Sequence, residues 1–333
     1  MIPLSVLDLS VTTTATPPSA ALRNSIDLAR HVDRLGYVRY WLAEHHSLPS
    51  VASPSPDIMI GQIAAATRHI RVGSGGVMLP NHAPLVVAER FKMLEALFPG
   101  RIDLGLGRAP GTDGTTAYAL RSRLDRREGD DFLERLHELM LWETREFPAG
   151  HPYNNVIAMP DDAPLPPIWL LGSSLYSAQL AAYLGLPFAF ASHFAPELLM
   201  QALQVYRTTY RPSPRHAKPH AMVGLNIVVA PTDEEARFLF TSAQQRFLGM
   251  VRGRRGKLPP PVRGRDALWM PAEGAQVARM LSESIVGSPD TVRAGLAATR
   301  ERTQADELIV ACAVHDHAAR RRSYELLAAL DQG

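Results

Sequence analysis

Trp169-Leu170-Leu171-Gly172-Ser173-Ser174-Leu175-Tyr176-Ser177-Ala178 is a stretch in which one periodicity gives way to another. Ile168–Gly172 is a short apolar run, as expected of a strand covered on both faces. A glycine and two hydroxyls follow, and Tyr176–Leu184 then has a helical pattern. Outward from this βα unit the same alternation recurs. Towards the N-terminus the strand candidates are Pro3–Ser10, Tyr37–Glu44, Ile70–Leu79 and Ile102–Arg108. Towards the C-terminus they are Phe188–Ser192, Val223–Ala230 and Glu307–Val314. The helical patterns between them are Ser19–Leu35, Asp57–Thr67, Pro84–Phe98, Asp130–Glu143, Pro196–Tyr210 and Asp233–Met250, with Ala318–Leu330 last. In the first, Ala21, Leu22, Ile26, Leu28, Ala29 and Val32 form one stripe. Strand-then-helix repeated in this way predicts a (β/α)8 TIM barrel with insertions, as one α/β domain over residues 1–333. An open doubly wound sheet would carry GxGxxG between the first strand and first helix, and that fingerprint is absent.

Three segments break the rhythm. Pro110–Arg127 is polar and rich in glycine and threonine, and Phe147–Pro167 is rich in proline. Arg252–Glu273 is basic, contains Pro259-Pro260-Pro261 and has no core-forming period. It reads as a mobile insertion before the last βα unit, with Leu268, Trp269 and Met270 as an apolar patch. A helical pattern resumes at Gly274–Ile285, and Ser288-Pro289-Asp290 caps another at Thr291–Arg302.

Composition narrows the class of function. A net charge of +2 on 333 residues gives no global signal for nucleic acid or a membrane surface. Cys312 is the single cysteine, so neither an intramolecular disulfide nor a thiolate metal cluster can form. The opening Met1-Ile2-Pro3-Leu4-Ser5-Val6 reads as a first strand, no apolar run reaches membrane-spanning length, and a cytoplasmic location is expected.

Reactive groups gather at the C-terminal ends of the strand candidates, where a barrel places its active site. Glu44, His45 and His46 end the second strand, and their side chains suit acid–base work or metal ligation. The third strand contains Gly73, Gly75 and Gly76, which permit a bulge against a flat ligand or a kink of the barrel. Gly105-Leu106-Gly107-Arg108 leaves room for a ring system and offers a guanidinium to a phosphate. Gly172, Ser173, Ser174 and Ser177 stand at a helix N-terminus, an anion site or an ordinary cap.

Several long blocks in order, taken together, resemble the bacterial-luciferase-like flavin-dependent monooxygenases. They are Ala43–His46, Val72–His82, Pro99–Gly111, Leu170–Ser174 and Gly185–Ala191. The likeness extends from Leu4 to about Tyr324, apart from Arg252–Glu273. It implies an FMN site at the barrel mouth and a non-prolyl cis peptide between Gly75 and Gly76. Its phosphate site would fall on Arg108, Ser173, Ser174 and Ser177, with Gly107 and Gly172 beside them in the cofactor site, although Ser173 stands where the family carries a carboxylate. Glu44 and His45 would be an acid–base pair beside the ring, with His46 their neighbour and His193 where an aromatic residue is common. The resemblance further implies reduced FMN supplied by a separate reductase, dioxygen and a small organic substrate, no metal, and a homodimer. Three other functions fit parts of the pattern. One is deazaflavin-dependent hydride transfer and another is a non-catalytic flavin-binding protein. The third is a metal-dependent barrel hydrolase using His45, His46, His193, His315 and His317.

Overall fold

The computed structural model describes residues 2–121, 131–264 and 269–330. Eight parallel strands close into a ring. They are β1 (Leu4–Asp8), β2 (Arg39–Leu42), β3 (Arg71–Ser74), β5 (Ile102–Gly107), β6 (Ile168–Gly172), β7 (Phe188–Phe190), β8 (Ala221–Val229) and β10 (Glu307–Ala311). β10 pairs with both β8 and β1, which completes the barrel. β4 (Val77–Met78) resumes the third strand after Gly75–Gly76 and pairs with β5. All eight strands expected from the sequence are present.

The ring helices are α1 (Pro18–Arg34), α2 (Pro56–Ala66), α3 (Pro84–Leu97), α5 (Phe132–Thr144), α6 (Leu175–Leu184), α7 (Leu199–Thr209), α10 (Pro289–Thr303) and α11 (His317–Ala329). Proline in the first turn starts α1, α2, α3 and α10, where its missing N–H costs nothing. Gly185, at φ 63°, ends α6 in the left-handed conformation.

Period-2 alternation divides the apolar residues of the strands between two cores. Val6, Tyr40, Leu170, Val223 and Val310 face the helices. Their neighbours Leu7, Trp41, Trp169, Met222 and Ile309 fill the barrel interior. At the N-terminal ends of the strands the interior becomes ionic. Arg39 donates to Asp103 at 2.8 Å and to Glu307 at 3.0 Å, and Trp41 Nε1 donates to Asp103 at 3.2 Å. This plug is buried and fully paired, so it closes the bottom of the barrel and leaves the opposite end for chemistry.

Two excursions leave the mouth. After β5 the chain forms α4 (Gly114–Arg121) inside the segment that reads as irregular in the sequence. After β8 it forms α8 (Asp233–Val251), the 252–270 stretch, α9 (Pro271–Met280) and β9 (Ile285–Gly287) before α10 returns it to β10. The helical pattern expected over Gly274–Ile285 ends at Met280. β8 runs past the ring, and its residues 227–229 offer an edge that Ile285–Gly287 takes as a strand. The Arg252–Glu273 stretch thus connects α8 to the start of α9. Arg127, Asp130, Arg265 and Leu268 lie outside the described residues.

Candidate active site at the barrel mouth

Glu44 follows β2, and its side chain is fully buried. Four donors meet its carboxylate: the Met78 amide at 2.8 Å, Asn81 Nδ2 at 3.0 Å, His46 Nε2 at 2.8 Å and His82 Nε2 at 3.0 Å. Burial pushes its pKa up, but the bonds and charge from His82, Asn81 and Met78 outweigh this and hold it below the usual carboxylate value. Glu44 is thus an ionised anchor. The imidazole partners of Glu44 are His46 and His82, and it makes no hydrogen bond to His45 among the described residues. A carboxylate with its acceptor positions filled orients its neighbours and is poorly placed to exchange protons itself.

His45 points elsewhere. Its Nδ1 lies 3.1 Å from the Gly111 carbonyl, and a carbonyl can only accept, so Nδ1 carries the proton. The neutral ring therefore presents Nε2 as a proton acceptor. Burial is the main cause that depresses its pKa, with Arg246 adding to it, so His45 is neutral at pH 7.

His193 follows β7 and stands close to the same guanidinium. Burial, then Arg246 and His45, push its pKa down to about 3. Its backbone carbonyl accepts from Asn226 Nδ2 at 2.6 Å, and its Nδ1 is buried with no hydrogen-bond partner among the described residues. A Cβ at Gly224 would lie 2.8 Å from that nitrogen, so this glycine makes room for the ring.

The glycines of the third strand are explained first by the chain itself. The Gly75–Gly76 peptide is cis, as the resemblance implies. A Cβ at Gly75 would meet Leu7 at 2.8 Å, and one at Gly76 would meet the Gly105 carbonyl at 2.7 Å. A Cβ at Gly107 would come within 2.9 Å of the Met78 sulfur. These contacts let β3, β4 and β5 approach backbone to backbone, which accounts for the kink without a ligand.

The turn between β6 and α6 has the features of an anion cradle. Ser174 occupies the N-cap position, yet its side chain makes no capping bond, so the ordinary-cap reading is not realised. The first-turn amides of α6 have no intrahelical acceptors. Gly172 is needed here because a Cβ would collide with Ser177, whose own side chain is buried against the strand end. Arg108, from the end of β5, lies over the Tyr176 ring of α6 with its guanidinium carbon 4.4 Å from the centroid. Ser173 sits beside them, half-buried. A phosphate fits this set: three serine hydroxyls, helix-end amides and one guanidinium.

Asn81, His82 and Arg246 are absent from the sequence-derived set. Asn81 and His82 belong to the Val72–His82 block, and an amide and an imidazole directly after a strand end were the available signal. Nothing local marks Arg246, which lies in the middle of α8. The histidines needed for a metal site do not converge. His315 meets Thr14, His317 pairs with Asp27 at 2.8 Å, and no metal-ligand grouping occurs among the described residues.

A family model described as luciferase-like monooxygenase matches residues 2–307. The chain belongs to the luciferase-like monooxygenase family. A luciferase-like monooxygenase of Escherichia coli strain K12 is 50% identical over 98% of this chain and 96% of its own length. The N-acetyl-S-alkylcysteine monooxygenase of Bacillus subtilis strain 168 is 31% identical over 98% of this chain and 97% of its own. The crystal structure of apo-MsnO8 superposes with TM-score 0.86 at 36% identity, covering 100% of this chain and 99% of that one. The FMN complex of the oxygenating constituent of 3,6-diketocamphane monooxygenase from Pseudomonas putida shares the fold at TM-score 0.71 and 20% identity, over 98% and 97% of the two chains. An F420-dependent secondary alcohol dehydrogenase shares the fold at TM-score 0.67 and 13% identity, over 99% of each chain. This luciferase-like monooxygenase is therefore an enzyme, and none of its described helices is long and apolar enough to cross a membrane.

Proposed function

We propose that the protein is an FMN-dependent monooxygenase that takes reduced FMN from a separate reductase and acts on a small organic substrate. The β6–α6 cradle carries this reading. Uncapped helix amides, the Ser173, Ser174 and Ser177 hydroxyls and the Arg108 guanidinium suit a terminal phosphate monoester. When bound, the flavin supplies the activation of dioxygen and the transfer of one oxygen atom to the substrate. Gly107 and Gly172 let Met78 and Ser177 pack closely against the strand ends and so shape the cradle. His45 holds a proton-accepting Nε2 towards the mouth, fixed in that tautomer by the Gly111 carbonyl. Glu44 fixes His46 and His82 behind it, and His193 forms part of the opposite wall. The excursion after β8 covers the mouth and keeps water from the reacting centre.

Anaerobic titration tests the reading. Reduced FMN should bind more tightly than oxidised FMN, and admitting oxygen with a substrate panel should give product that contains one atom from dioxygen. Tight binding of coenzyme F420 with no response to reduced FMN would replace this reading with deazaflavin-dependent hydride transfer. Stoichiometric zinc or iron, with activity lost to chelators, would reject a flavin mechanism altogether.

A further inference from the structure

Arg246 is the feature of the mouth that the flavin reading leaves unused. It lies on α8, one helical turn after Ser242 and on the same face. Its guanidinium forms no hydrogen bond or ion pair with any described residue, and burial alone shifts its pKa, downwards, with no carboxylate acting against it. Ser242 is fully buried, and its hydroxyl also lacks a partner among the described residues. Around them stand His45 and His193, both neutral and both depressed in part by the Arg246 charge, and His193 Nδ1 is the third polar atom left unsatisfied. Of the other described arginines of this excursion, Arg237 pairs with Asp233, Arg252 with Glu273, Arg255 with Asp113 and Arg263 with Glu234, while Arg254 and Arg279 are exposed to solvent. A half-buried cation without a counter-ion, beside two imidazoles that burial keeps neutral, is an unfavourable arrangement unless an anion completes it. The phosphate cradle cannot be the source of that anion, because it is built on β5, β6 and α6, whereas this cluster joins α8 to the ends of β2 and β7.

We propose that Arg246 and Ser242, with His193 and His45 beside them, form an anion-binding subsite that receives the carboxylate or sulfonate of an organic substrate. The guanidinium offers a planar fork of donors that matches either group, and the Ser242 hydroxyl supplies one more. Held there, the substrate's anionic end would be fixed on the α8 side of the mouth while its oxidisable carbon or sulfur faced His45. The enzyme would then select anionic over neutral substrates by leaving the guanidinium unpaired when the neutral one binds.

The assignment rests on the flavin reading, and the experiment separates the two. Calorimetry on the protein loaded anaerobically with reduced FMN compares hexanoate with hexanamide and phenylacetate with phenylacetamide. Each acid should bind at least roughly tenfold more tightly than its amide, the scale of a charge-assisted hydrogen bond. Arg246→Met should abolish that preference and leave amide binding unchanged, Arg246→Lys should retain part of it, and Ser242→Ala should weaken the acids only. Acids and amides binding equally to the wild type, neither binding at all, or the preference surviving in Arg246→Met would each overturn the subsite. So would an Arg246→Met variant that loses reduced FMN and reduced riboflavin alike, because the guanidinium would then serve the flavin ring. Failure of the wild type to bind reduced FMN would instead reject the flavin reading, and the acid-over-amide comparison is then read on the protein without flavin.

Discussion

His45 and His193 stand on opposite sides of the mouth, and both are neutral at pH 7. For His45 the proposed consequence is catalytic. Its proton-accepting Nε2 is available above its depressed pKa, so a rate step that uses it should fall only as pH drops below the ordinary histidine range of about 6.5. His45→Ala should fold and bind flavin but lose product formation, and stopped-flow absorbance after mixing the reduced complex with oxygen would show where. Wild-type turnover in that variant would remove His45 from the mechanism. For His193 the consequence is thermodynamic. Its folded pKa of about 3 lies below the unfolded value of 6.5, so in that interval the unfolded chain binds a proton that the folded one refuses. Stability is complete above about 6.5 and is lost as pH falls towards 3, by at most about 1.4 kcal/mol per pH unit. His193→Phe should flatten that acid limb in urea titrations run between about pH 6 and pH 4.5. An unchanged slope would show that His193 takes up its proton in the folded state.

At the scale of elements, the proposed phosphate cradle at the β6–α6 turn depends on one missing methyl. Gly172 lets Ser177 and the start of α6 close over the strand end. Gly172→Ala should push the helix terminus away, and FMN affinity should drop roughly tenfold or more, as when a charge-assisted bond is lost, while riboflavin affinity changes less. Arg108→Ala should show the same asymmetry, with a loss on the order of tenfold to a hundredfold for FMN. Equal losses for FMN and riboflavin in fluorescence titrations would assign both residues to fold stability. This element was legible in the sequence, because a strand, a glycine, a row of hydroxyls and a helix are local signals. The Glu44 network was legible only in part. Glu44 and His46 are adjacent in sequence, but Asn81 and His82 reach the carboxylate only because the third strand ends beside the second. Glu44 and His45 make separate contacts because successive residues leave a strand end in different directions.

Across the whole molecule, the excursion after β8 acts as a strap. Leu258 is fully buried, and it exchanges backbone hydrogen bonds of 2.9 and 3.0 Å with Thr12 and Thr14 beyond β1. Arg255 pairs with Asp113 beyond β5 at 2.7 Å, and a bidentate Arg252–Glu273 pair ties the two ends of the segment together. Part of its basic charge, at Arg255 and Arg263, is therefore balanced by Asp113 and Glu234 from outside the segment, which the sequence of the segment alone does not show. The strap rests on few contacts, so it should open locally. Trypsin should cut near Arg254–Lys257 in the empty protein and more slowly once flavin and substrate bind. Leu258→Ala combined with Arg255→Ala should speed that cleavage, leave FMN affinity nearly intact and raise peroxide release at the expense of product. Coupling of oxygen to product equal to wild type would reduce the strap to a linker.

The sequence by itself determined the eight-stranded barrel and the end of it where reactive side chains gather. Each is written in a local period or in a run of neighbouring residues, and local patterns survive without knowledge of contacts. Only the tertiary structure decided that Glu44 serves His46 and His82, that β8 overruns the ring to recruit Ile285–Gly287, and that Leu258 crosses to Thr12 and Thr14. It alone brought Arg246 to His45 and His193, some two hundred and some fifty residues away in the chain. Such meetings depend on how strands register and where a long insertion comes to rest, and the free energy that sets them is spread over the whole packed core rather than over any one segment.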